Sequence, residues 1–208
     1  MKTHPRFVCL AALLTLWIFP AMAIEEPKYI VLKIDQDIEV RKYEPQLIAQ
    51  TVVDGDMDQA SNKGFRLIAD FIFGNNEAPN SSGSAKIAMT APVVVEPQKN
   101  TSAVQDANQW RINFVMPSQY NLSTIPRPKN SAVEIKEIPS KVFVVLTYSG
   151  FNFTSKVQKK TQDALDWSHQ HGYKIIGTPQ LARYDPPWTL PMFRRNEIMI
   201  EIAGDTTP

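Results

Sequence analysis

Few residues of this chain are equipped for covalent chemistry. Cys9 is the only cysteine among 208 residues, and it lies in an apolar N-terminal run. No thiolate nucleophile, cysteine metal site or disulfide is therefore expected beyond it. His169 and His171 are two apart, so on a helix they point to different sides and cannot chelate one metal together; C-terminal capping of a helix is their expected role. No Ser-His-Asp order, Gly-rich phosphate loop or His-Glu-x-x-His motif occurs. Glu197, following Arg194-Arg195, reads either as an ion-pair partner or as a carboxylate facing a ligand. Met89, Met116 and Met192 are soft enough to line an adaptable pocket, with core filling as their default role.

What remains is recognition by surface rather than by reaction. Two stretches suggest a preformed pocket rim: Lys86 to Val95, a strand-like run kinked at Pro92, and Tyr184 to Glu197, where three prolines stiffen an aromatic-rich loop. A groove is expected between the flank of a helix, carrying Phe65, Ala69, Ile72 and Phe73, and that loop, carrying Trp188, Leu190, Met192 and Phe193. Lys63, Arg66, Arg194 and Arg195 stand near its rim. A flat apolar ligand bearing carboxylates would suit it, stacking for affinity and fixing its acids by an arginine fork. The alternative is that the loop folds over the helix and closes the core.

The elements that position these residues form a repeat. Residues 29–34, 38–43 and 46–53 alternate and are rich in β-branched residues, as strands are. Gly55 ends them, and Asp56-Met57-Asp58-Gln59 resembles a capping box opening a helix that runs to about Phe73. Ala60, Gly64, Leu67, Ile68 and Phe71 make its buried face, and Phe65, Ala69 and Phe73 a second stripe. Leaving Phe65 and Phe73 wet costs roughly 1 to 3 kcal/mol each, so something else should cover them. Strands follow at 86–95 and 110–116, and residues 117–130 form a proline-stiffened connector. The pattern then repeats: strands at 133–138 and 141–148, Gly150, a helix from about Ser155 to His169 with Ser155 and Gln158 as a capping box, and strands at 174–184 and 195–202. The second helix has one narrow stripe, Val157, Thr161, Ala164, Leu165 and Ser168. Two β-β-α-β-β units, about 28–116 and 131–203, thus predict one pseudo-symmetric α+β domain over residues 24–208, its strands curled around a shared interior with a helix on each side.

Residues 1–23 read as a secretory signal: Lys2 and Arg6, an apolar run from Phe7 to Phe19, then Ala21-Met22-Ala23 before cleavage. The run is shorter than the ~20 residues of a spanning helix, so no integral membrane segment is expected after removal, and the product is expected in the periplasm or secreted. With 22 Lys+Arg against 21 Asp+Glu, the net charge is +1. No basic stripe marks a nucleic-acid partner, and the oligomeric state is left open.

Several runs together resemble the SOUL haem-binding family: Val40 to Pro45, Phe71 to Asn76, Lys86 to Val93, Phe114 to Tyr120, and Arg183 to Trp188 with Arg194 to Glu197. They appear in family order across nearly all of residues 24–208. The resemblance implies a distorted β-barrel of two repeats, similar to the ligand-binding domains of bacterial multidrug-sensing regulators. It also implies haem or a related porphyrin as ligand, bound on the first helix and under the late loop without an obligatory axial histidine. Lys63 and Arg66 on the helix and Trp188 to Phe193 on the loop would line that site. Where some members carry a loop lysine this chain has Thr189-Leu190, leaving Arg194 as the nearest cation. The expected function is a non-catalytic tetrapyrrole carrier or buffer. The alternatives are an enzyme that removes metal from tetrapyrroles, with Glu197 moving protons, and a sensor of other amphipathic ligands.

Overall fold

The computed structural model describes residues 24–79, 82–98 and 107–204; the signal-like segment and Cys9 lie outside them. The strands are β1 Tyr29–Asp35, β2 Ile38–Tyr43, β3 Gln46–Asp54, β4 Asn76–Glu77, β5 Val93–Pro97, β6 Gln109–Val115, β7 Arg127–Pro128, β8 Glu134–Ile138, β9 Lys141–Ser149, β10 Gln180–Arg183 and β11 Arg195–Ile202. The helices are α1 Met57–Ile72 and α2 Thr154–Gln170. Nine strands form one antiparallel sheet in the order β1-β2-β9-β11-β10-β5-β6-β3-β8, and β4 pairs with β7 apart from it. The sheet curls into a half-barrel with two helices.

The repeat is visible in that order. Read from β10 outward it runs β10, β11, β9, β2, and from β5 outward β5, β6, β3, β8. A pseudo-two-fold axis therefore passes between β5 and β10, and only β1 has no counterpart. Each opening strand is exchanged: β2 pairs with β9 of the second half, and β8 pairs with β3 of the first. Gly55 and Gly150 occupy matching turns after β3 and β9, at φ of 133° and 104°, a region that strains any residue with a Cβ.

Both helices lie on one face of the sheet, α1 over β3, β6 and β5 and α2 over β9 and β11. Alternation along the strands builds the core there. Val142, Val144, Leu146 and Tyr148 of β9 face the helices, and Phe143 and Val145 face the other way into a smaller cluster with Tyr43, Ala182 and Met199. The α1 start follows the expected cap: Asp56 Oδ1 accepts from the Gln59 N–H at 2.9 Å. Gly64 lets the helix press onto β6, since a Cβ there would meet Ile112 Cγ1 at 2.3 Å.

Three local expectations are corrected. Residues 86–92 are not paired as a strand; β5 begins at Val93, after a cis Ala91–Pro92 bond. The strand expected over 174–184 is reduced to Gln180–Arg183 with a single bridge at Ile175. Ser155 does not cap α2; its N-cap is Phe153, with no side-chain cap hydrogen bond. The far end of α2 does follow the sequence, because the His171 ring Nδ1 pairs with the Trp167 carbonyl at 2.8 Å. Among the described residues no helix is long and apolar enough to cross a membrane.

Candidate functional site

The spare apolar surface of α1 is real. Phe65 is 39% exposed and Phe73 57%, with half-buried Ala69 between them. Ile72 is the exception to the expected stripe. It is fully buried in the main core, because the last turn of α1 winds against the incoming 86–92 segment and the Ile72 carbonyl accepts from the Ile87 N–H at 2.8 Å.

The late loop matches that surface. Trp188 is 82% exposed, and Leu190, Met192 and Phe193 are exposed beside it, the last two on a short 3-10 turn, Pro191–Phe193. One contact ties the base of this loop to α1: Arg183, the last residue of β10, pairs with Asp58 in the first helical turn at 3.0 Å. Asp58 lies two turns before Phe65 on the same helix flank. The contact sets the base of the loop beside the first turn of α1, with Phe65 about two turns and Phe73 about four turns further along the helix. Two further exposed rings, Phe151 and Phe153, join the loop from the start of α2, their centroids 5.3 Å apart. The sequence reading missed them; their signal was two aromatics in a polar turn after Gly150.

The cations at this site are placed differently from expectation. Arg194 is turned into its own loop: Nε donates to the Thr189 carbonyl at 2.7 Å, an Nη to the Pro187 carbonyl, and the guanidinium lies 5.2 Å from the Phe151 ring centroid. It acts as a staple that holds the aromatic loop in shape. Lys63 bends back to the Asp54 carbonyl at 3.2 Å. Arg66 is exposed and has no ion-pair or hydrogen-bond partner among the described residues. It shares a helix face with Ala69 and Phe73, at i, i+3 and i+7, and is left uncommitted beside the apolar stripe.

Glu197 belongs to a different place. It is 1% exposed, on the sheet face away from the helices, where it accepts from Arg41 Nη1 at 3.0 Å and from the Tyr184 hydroxyl at 2.7 Å. The Arg195 Nε stands 4.0 Å away. Arg41 also reaches Glu39 at 2.6 Å and the Tyr43 hydroxyl at 3.3 Å. Burial raises the Tyr43 and Tyr184 phenols well above the ordinary tyrosine value, and the nearby Glu197 charge raises both further. The ion-pair reading of Glu197 holds, with the distant Arg41 rather than its neighbour Arg194 as principal partner.

A comparison with known protein families matches residues 24–201 to SOUL heme-binding protein. The chain belongs to the SOUL family. Membership implies haem binding as a general property. No curated protein matches the chain. Among solved structures, the C-terminal domain of EcmrR is similar over 80% of this chain and 96% of its own, at 10% identity and a TM-score of 0.61. An uncharacterized conserved protein from Listeria innocua is similar over 81% and 93%, at 10% identity and a TM-score of 0.55. A hydrolase from the same organism is similar over 83% and 94%, at 12% identity and a TM-score of 0.52. At such identities the likeness concerns the fold alone.

The site residues fit a tetrapyrrole as a flat apolar body with acidic edges. Phe65, Phe73, Trp188 and Phe193 offer ring faces and apolar edges for the macrocycle, and Arg66 offers a free guanidinium for a propionate. His171 is engaged at the end of α2, where its ring stacks on Trp167 with centroids 4.0 Å apart.

Proposed function

We propose that this SOUL protein is a carrier or buffer for haem or a related porphyrin, held between the α1 flank and the 186–194 loop. The observation that carries this reading is the pair of apolar surfaces, Phe65 with Phe73 and Trp188 with Phe193, left exposed on two elements tied together by Asp58 and Arg183. Exposed apolar surface of this extent marks a binding site more often than a defect. A non-catalytic role is supported by the position of Glu197, the carboxylate considered for proton transfer. It is buried on the opposite sheet face and committed to Arg41 and Tyr184.

Adding hemin to the purified protein should shift the Soret band and quench Trp188 fluorescence, with saturation. Phe73→Asp and Phe65→Asp should each weaken binding about tenfold or more, the loss of roughly one buried aromatic contact, without moving the thermal midpoint. An unshifted Soret band, or affinity equal to the parent's in both variants, would overturn the assignment. Metallated porphyrin incubated with the protein should yield no metal-free product.

We also read the protein as exported, because the basic start, apolar run and Ala-x-Ala ending of residues 1–23 form a signal pattern. The mass of the cell-exported form should correspond to a chain beginning at Ile24.

A further inference from the structure

The inner face of the curled sheet, away from both helices, contains a cavity of about 140 Å³ that the haem reading leaves unused. Its apolar floor is formed by Ile48, Val94, Phe143 and Met199, with the rings of Tyr43 and Tyr184 beside them. Those two phenols point their hydroxyls inward to the Arg41 and Glu197 network, so the rings are held in place. That volume, open on one side, is close to the roughly 150 Å³ of an apolar cavity that admits one benzene ring, so one ring is the smallest body that fills it.

The walls say what else the occupant must carry. Arg111 is neutralised by Glu96 at 3.0 Å and Lys141 by Glu201 at 2.7 Å, so neither cation is left to select an anion. Three carboxamides in the lining, those of Gln46, Asn113 and Gln180, make no hydrogen bond among the described residues. The Asn113 Oδ1 is buried with no partner, although buried polar atoms are nearly always paired. Uncommitted carboxamides can turn to present either a donor or an acceptor. They call for a neutral partner with both. A neighbouring cavity of about 330 Å³ shares Pro27, Glu44, Gln46 and Val115 with the first. The Glu44 carboxylate at this shared rim disfavours acids.

We propose that this inner face is a second binding site, for a neutral single-ring aromatic molecule bearing an amide or hydroxyl group. It is separate from the α1 groove and stands whether or not haem binds there. Benzamide is a suitable probe, with isosteric benzoate and toluene as comparators. Titrated into the mature protein, benzamide should give saturable NMR shifts of the Asn113 side-chain amide and the Met199 methyl, and benzoate none. Asn113→Leu should weaken benzamide about five- to tenfold, the loss of one hydrogen bond, and leave toluene unchanged. Val94→Trp should abolish benzamide binding, and both variants should titrate hemin as the parent does. The absence of saturable shifts in the parent protein, or an equal response of benzamide and toluene to Asn113→Leu, would overturn the proposal. Competition between hemin and benzamide would overturn it equally.

Discussion

Arg41 on β2 and Glu197 on β11 lie 156 positions apart in sequence and meet at 3.0 Å in the interior of the half-barrel, with β9 between their strands. The pair is almost wholly buried, at 6% and 1% side-chain exposure. Removing one member of such a pair leaves a charge without its main partner and typically costs about 3 to 5 kcal/mol. Arg41→Met is accordingly expected to destabilise the fold by about 3 kcal/mol in urea titrations. Arg41→Met with Glu197→Met should recover most of that loss. A double variant as unstable as the single one would show that the network contributes more than charge balance.

Stability should fall in alkali. Tyr43, Tyr148 and Tyr184 have phenols raised above the ordinary value of about 10, chiefly by burial and, for Tyr43 and Tyr184, also by Glu197. A raised folded-state pKa means that the unfolded chain releases its proton first. The stabilisation is complete below about pH 10 and is lost as pH rises above it, by up to about 1.4 kcal/mol per pH unit for each such group. Thermal midpoints between pH 8 and 11.5 should show the decline, and Tyr184→Phe should make it shallower.

Gly64→Ala should be costly although alanine favours helices. The added methyl would sit 2.3 Å from Ile112 Cγ1, forcing α1 off the sheet at a cost of about 1 to 3 kcal/mol. Combining it with Ile112→Val should restore part of the thermal midpoint. Because α1 carries Phe65 and Phe73, hemin affinity should fall with the single change.

Arg194→Ala should loosen the aromatic loop without unfolding the domain. Its guanidinium bridges the Thr189 and Pro187 carbonyls, a fork that a lysine ammonium does not reproduce. Proteolysis within 186–194 should accelerate, and Arg194→Lys should not restore the parental resistance.

Much of this architecture could be read from local pattern. The repeat, the Asp56 cap and the exposed second stripe of α1 all follow from spacing within one element, which burial of a single face decides. What escaped depends on contacts between distant segments. Ile72 belongs to the core because Ile87 arrives beside it. Arg194 faces inward because Thr189 and Pro187 turn their carbonyls toward it. Glu197 found its partner on β2, which no neighbouring residue announces. The inner cavity was equally hidden, since its lining comes from eight strands and no single segment spells it out.

The exchange of β2 and β8 has a consequence for how the polypeptide matures. A nascent chain that has left the ribosome only as far as residue 130 holds β2 beside β1 alone, and β3 with one flank bare, because their other neighbours, β9 and β8, are still to be made. Neither half is a self-sufficient module. Severing the 117–130 connector should yield fragments that are soluble together and aggregate apart, each missing the strand that its twin supplies.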